Sequence, residues 1–228
     1  LAATLAAHGV ERLSCVAGES YLPVLDALLD HPSIQTVTCR HEGEAAFMAE
    51  SWGKLTGKAG VCFVTRGPGA TNASIGVHTA TQDSSPMILF VGQVARADKG
   101  REAFQEFDTK QAFTPWAKEA FDIPSAAQIP EAVNRAFRLA QSGRMGPVVV
   151  GLPEDILIET ANVTIAEPET PSRHGLNKTD LTAIREALQK ASKPLIIAGG
   201  SGWSDAACAD LERFAKTAHI PVVAAWRC

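Results

Sequence analysis

No run in this 228-residue sequence approaches the ~20 consecutive apolar residues that a membrane helix needs. The opening residues carry no leader pattern of a charged segment followed by an apolar one. A basic stripe is missing too: 21 lysines and arginines face 25 aspartates and glutamates, leaving a net charge of −4. Without such a stripe there is nothing to neutralise a run of phosphates, so nucleic-acid binding is not expected. The five cysteines (Cys15, Cys39, Cys62, Cys208, Cys228) have no metal-type spacing. Three of them fall in strand-like runs and read as small buried hydrophobes in a reducing compartment. Internal repeats and low-complexity segments are absent. A soluble cytoplasmic protein with no membrane or nucleic-acid role is expected.

What is present is an alternation of helical and strand patterns along a chain that is 46% hydrophobic. That alternation predicts an α/β fold, a parallel sheet covered by helices. Strands are expected at residues 12–16, 35–40, 60–65, 87–92 and 147–153, with helices at 1–8, 22–29, 42–57, 68–82, 108–119 and 130–141. Residues 164–178 hold Pro168 and Pro171 without periodicity and read as a linker. A second α/β unit follows over 179–228, with helix 181–191, strand 194–198, helix 205–218 and a strand from Ile220 towards Cys228. Both ends read as cut, since Leu1 opens inside a helix and the last strand has nothing after it. A piece of a longer polypeptide is expected.

Three places could carry chemistry. Glu42 stands where the strand Gln35–Arg40 gives way to a helix, at the sheet edge where open α/β folds bind ligands. Position alone supports a plainer reading, because a helix N-terminus favours a carboxylate. Arg66-Gly67-Pro68-Gly69-Ala70-Thr71-Asn72 is a glycine-rich turn opening the next helix. A phosphate-binding loop is the wrong reading there, since no Lys-Ser/Thr follows and Pro68 lacks an N–H. Gly199-Gly200-Ser201-Gly202 invites a dinucleotide reading, but Asp205 occupies the position of the third glycine.

Residues 39–57 and the Gly67–Asn72 turn together resemble the pyrimidine-binding domain of thiamine-diphosphate enzymes of the acetolactate synthase group. That resemblance implies a three-layer pyrimidine-binding domain over 1–163, then the first half of a Rossmann-like central domain. It makes Glu42 the catalytic residue, bonded to N1′ of the aminopyrimidine, and places Gly67, Pro68, Gly69 and Asn72 around that ring. Gly100-Arg101-Glu102-Ala103-Phe104-Gln105-Glu106 resembles a loop whose Phe and Gln approach the substrate, so Phe104, Gln105 and Arg101 become substrate-side candidates. Gly18 and Glu19 join them from the loop Ala17–Ser20. Ser142–Val149 resembles a segment whose arginine touches FAD, which makes Arg144 a conditional flavin contact, with Gly199 and Gly200 beside it on fold analogy. No Gly-Asp-Gly followed by Asn occurs, so Mg²⁺ and the diphosphate are expected to be held by a C-terminal domain outside this chain. The resemblance also implies a homodimer or homotetramer with sites between subunits.

The implied function is decarboxylation of pyruvate or another 2-oxo acid and transfer of the acyl group to an acceptor. Three departures from the family pattern stand out. Ala17-Gly18-Glu19-Ser20 replaces Pro-Gly-Gly-Ala, and Leu152-Pro153-Glu154-Asp155 replaces Leu-Pro-Lys-Asp. Both put a carboxylate where the pattern has none, and Arg101 replaces a small polar residue. A decarboxylase or a sulfoacetaldehyde-type acyl transferase is the alternative within the cofactor family. A non-catalytic nucleotide-binding α/β protein is the alternative outside it.

Overall fold

The computed structural model describes residues 1–165, 167–169 and 175–226. Contacts divide the chain into two units, Leu1–Pro171 and Ser172–Cys228. The first begins with α1 (Ala2–Ala7), β1 (Arg12–Cys15), α2 (Leu22–Leu28), β2 (Gln35–Thr38) and α3 (Glu42–Thr56). It continues through β3 (Gly60–Val64), α4 (Pro68–Asp83), β4 (Met87–Gln93) and α5 (Thr109–Phe113). Strand β5 (Glu119–Asp122), α6 (Ile129–Gln141) and β6 (Pro147–Pro153) complete it. All six strands pair in parallel in the order β2-β1-β3-β4-β6-β5.

Strands β3, β4 and β6 are buried along their whole length, as continuous apolar runs are when helices cover both faces. Their side chains alternate between two cores. Phe63, Phe90 and Val150 pack with Leu5, Leu28 and Phe137 of α1, α2 and α6. Cys62, Leu89 and Val149 pack on the other side with Ala46 of α3 and Ala73 and Val77 of α4. The second core is lined by small residues, so α3 and α4 run close together and bring their N-termini to one end of the sheet. Glu50 is buried within this packing, where its Oε1 accepts from the Ser85 hydroxyl at 2.7 Å.

Two expectations need correction. The helix expected over 108–119 is only the short α5; residues 114–118 form turns, and β5 begins at Glu119 as an edge strand on β6. Thr114 keeps helical dihedrals (φ −50°, ψ −36°), but Pro115 lacks the N–H that would continue the helical ladder. Cys39 lies just past the end of β2 and is half-exposed, whereas Cys15 and Cys62 are buried.

The second unit runs α7 (Lys178–Lys190), β7 (Ile196–Ala198), α8 (Asp205–Ala218) and β8 (Val222–Ala224), and its two strands are parallel. Asn177 and Ser204 cap the two helices, accepting from the amides of Asp180 and Ala207. The last expected strand is thus three residues long, and its expected end at Arg227 and Cys228 lies outside the described residues. Among the described residues, no helix is long and apolar enough to cross a membrane.

Candidate active site

The loops at the C-terminal ends of β1, β2, β3, β4 and β6 all emerge at one edge of the sheet, because the strands are parallel. Glu42 is the first residue of α3. His41 is the N-cap, its Nδ1 accepting from the Gly43 amide at 3.0 Å, so the Glu42 side chain is not spent on capping. Instead the half-buried Glu42 accepts at Oε2 from the side-chain amide of Asn72, at 2.9 Å. The two motifs singled out in the sequence therefore meet. A Cβ at Gly69 would press to 2.9 Å from Thr65 Cγ2 and lie 3.5 Å from Glu42 Oε1, so glycine lets the Thr65 side chain pack against this turn beside the carboxylate. Burial pushes the nearby Tyr21 hydroxyl and Cys62 thiol up, so both are neutral.

Gly67 has φ 56° and ψ −111°, a backbone that only glycine adopts without strain. Pro68 follows at the first helical position, where its missing N–H leaves no bond unmade. Thr65 ties this turn to the Ala17–Ser20 loop: its hydroxyl lies 2.8 Å from Ser20 Oγ, and a Cβ at Gly18 would come within 2.7 Å of Thr65 Cβ. Sequence reasoning misses Thr65 and Ser20. A signal exists for Thr65, which stands one residue before the glycine-rich turn.

The loop after β4 closes over the same turn. Glu106 accepts from the amides of Gly100 and Ala103, which holds its carboxyl below the usual glutamate range. Gln105 has φ 60°, and a Cβ at Gly67 would stand 3.0 Å from its carbonyl oxygen. Arg66, only 6% exposed, donates from Nε to the Phe104 carbonyl at 3.1 Å. Its second donor reaches Glu154 Oε2 at 2.8 Å, and Glu19 Oε1 lies 3.8 Å from the third nitrogen. Phe104 is 75% exposed, and Arg101 is exposed with no side-chain partner among the described residues.

The family described as "Thiamine pyrophosphate enzyme, N-terminal TPP binding domain" matches residues 1–112. "Thiamine pyrophosphate enzyme, central domain" matches residues 181–228, and together they span more than two thirds of the chain. The chain belongs to the thiamine pyrophosphate enzyme family. It is 39% identical over 225 residues to the acetolactate synthase large subunit of Lactococcus lactis, covering 96% of this chain and 39% of that protein. Likeness to the Escherichia coli acetolactate synthase isozyme 3 large subunit is 38% over 222 residues, covering 95% and 39%. A probable acetolactate synthase large subunit of Methanocaldococcus jannaschii is 38% identical over 227 residues, covering 96% and 38%. The chain thus spans about two-fifths of the length of these relatives.

For a thiamine pyrophosphate enzyme the residues at this edge fit the pyrimidine end of the cofactor. The half-buried carboxylate has one oxygen fixed by Asn72, and its other oxygen lies beside Gly69. Within this unit, Arg144 lies elsewhere. It donates to Ser84 Oγ at 2.8 Å and to the Thr81 carbonyl at 3.1 Å, so it caps the C-terminal end of α4, far from Glu42 at its N-terminal end. Gly199 and Gly200 belong to the second unit, just after β7, where Trp203 Nε1 donates to the Gly199 carbonyl.

Proposed function

We propose that this chain provides the pyrimidine-binding part of a thiamine-diphosphate-dependent carboligase of the acetolactate synthase type. The proposed division is a pyrimidine domain over 1–163, a linker over 164–178 and the start of a central domain over 179–228. Glu42 holds and returns the proton at N1′ of the aminopyrimidine. Asn72 fixes that carboxyl through Oε2, leaving Oε1 to face the ring, and this pairing is the observation that carries the reading. Bound thiamine diphosphate supplies a carbon nucleophile for the carbonyl of a 2-oxo acid. Gln105 orients that acid through a neutral amide, adding no charge to the site. Phe104, exposed beside Gln105, stands on the substrate side of the site. Mg²⁺ and the diphosphate belong to residues outside this chain, while Arg144, Gly199 and Gly200 would serve FAD if the protein takes a flavin. Assembly as a homodimer or homotetramer in the cytoplasm completes the reading.

Glu19 and Glu154 depart from the family pattern, and the decarboxylase and sulfoacetaldehyde-type readings are the alternatives within the cofactor family. The test is CO₂ release from pyruvate and other 2-oxo acids by a polypeptide joining this chain to a diphosphate-binding domain, with thiamine diphosphate and Mg²⁺. Glu42→Gln is expected to lower release by about 10²–10⁴-fold, the scale of a lost general acid–base group. Equal release by both proteins would sink the role given to Glu42.

A further inference from the structure

Three loops that leave different strands converge on Arg66. Glu19 follows β1, Phe104 follows β4 and Glu154 follows β6, and Arg66 itself stands just past β3, between β1 and β4 in the sheet. A buried guanidinium is costly unless its donors are satisfied. Here Nε and one terminal nitrogen are satisfied by the Phe104 carbonyl and Glu154, with Glu19 standing off at 3.8 Å. We infer that Arg66 is a positioning residue, the strut that fixes the Phe104–Gln105 loop over Gly67, and that Glu154 and Glu19 are its counter-ions.

Two further observations support the strut. The loop adopts left-handed backbone at two non-glycine residues, Glu102 (φ 55°) and Gln105 (φ 60°), a conformation that persists only where the surroundings hold it. From within, Glu106 pins the turn at Gly100 and Ala103, but it makes no tie to the sheet. The Arg66–Phe104 bond ties the middle of the loop to the sheet, between Lys99, bonded to Asp122 of β5, and Phe107, whose carbonyl accepts from Gln93 of β4; the backbone of Gln105 lies on Gly67. The inference also accounts for the sequence departures. A lysine in place of Glu154 would put a second cation beside a guanidinium now bonded at 2.8 Å. The carboxylates at 19 and 154 follow from the arginine at 66 as charge compensation.

For Gln105 this deepens the proposed function, and it rests on that reading only for what the amide does. The test is amide hydrogen exchange on the 228-residue chain, with Arg66→Ala, Arg66→Lys and Glu154→Gln beside the wild type. Arg66→Ala is expected to speed exchange over residues 100–106 by about tenfold, as a local opening made easier, with β3 and β4 unchanged. Arg66→Lys should lose less, because an ammonium still reaches one of the two acceptors. Glu154→Gln should fall between wild type and Ala, and it serves if the Ala variant does not fold. Unchanged loop exchange in Arg66→Ala and Glu154→Gln would overturn the inference. So would a lysine variant no better than alanine, or acceleration spread evenly through the sheet, which marks a general structural role. No cofactor enters this experiment, so a loosened loop beside a failed Glu42→Gln test would keep the strut and reject the role given to Glu42.

Discussion

The side-chain amide of Asn72 donates to Glu42 across 2.9 Å, joining the N-terminal ends of two helices whose sequence motifs lie 30 residues apart. Removing the donor leaves one carboxylate oxygen to water and lets the side chain turn. Asn72→Ala should therefore weaken thiamine diphosphate binding while changing stability little, since the bond is exposed and such a bond is worth about 0.5–1.5 kcal/mol at most. Asn72→Asp is the sharper variant, because it sets two carboxylates face to face. Its melting temperature should fall below that of the alanine variant at pH 7, and the gap should close as protonation in acid relieves the repulsion. Thermal melts at both pH values check this. A gap that persists in acid would show that the two side chains do not face each other.

Gly53 lies where α3 meets the turn before β4, and a Cβ there would overlap the Pro86 carbonyl oxygen. The clash is with backbone, which cannot rotate away. Gly53→Ala is thus expected to destabilise by about 1–3 kcal/mol through overpacking. Helix propensity alone predicts the opposite sign, a gain of about 1 kcal/mol. Urea denaturation of the two proteins decides between them, and a stabilised variant would mean that α3 is set further from the turn.

The parts of this fold that can be read in the sequence are those where one pattern dominates a whole element. The unbroken apolar runs 60–64, 87–91 and 147–152 mark β3, β4 and β6, because only a strand covered on both faces buries every residue it has. Glu42, Gly67 and Asn72 are legible in position, since each sits at or just past a strand-to-helix junction that the periodicity marks, while the roles expected of them come from the resemblance to thiamine-diphosphate enzymes. Arg66 is not. Nothing local distinguishes a buried arginine from a solvated one, and its acceptors lie 38 and 88 residues away. The edge strand β5 is hidden by its neighbours: Thr109–Phe113 is helical, and only Pro115 marks where that pattern ends.

The cysteines differ in access. Burial pushes the Cys15 and Cys62 thiols up, and both lie within the cores on either side of the sheet, whereas Cys208 is exposed on α8. A thiol-specific reagent should therefore label Cys208 within the mixing time of a native sample, and Cys15 and Cys62 only after denaturant is added. Peptide mapping of the labelled sites by mass spectrometry reads the order. Early labelling of Cys62 would mean that the seam between α3, α4 and the sheet opens in the native state.

His8 closes α1 against α6, its ring stacked on Phe137 at 4.1 Å and its Nε2 2.6 Å from Asn134 Oδ1. Burial holds its pKa below the ordinary histidine value, and the bond to Asn134 offsets this only in part. The unfolded chain therefore takes up the proton at a higher pH than the folded one does. Between the ordinary value of about 6.5 and the lower folded value, unfolding binds protons, so stability falls as the pH falls through that window. Above it, His8 is neutral in both states and adds no slope. His8→Gln keeps a polar side chain but removes the titration. The wild type should lose stability faster than this variant below about pH 6.5, with a difference in slope shallower than the one-proton limit of about 1.4 kcal/mol per pH unit. Urea denaturation at pH steps from neutral into mild acid measures that difference. Parallel curves would place the acid sensitivity of this domain on groups other than His8.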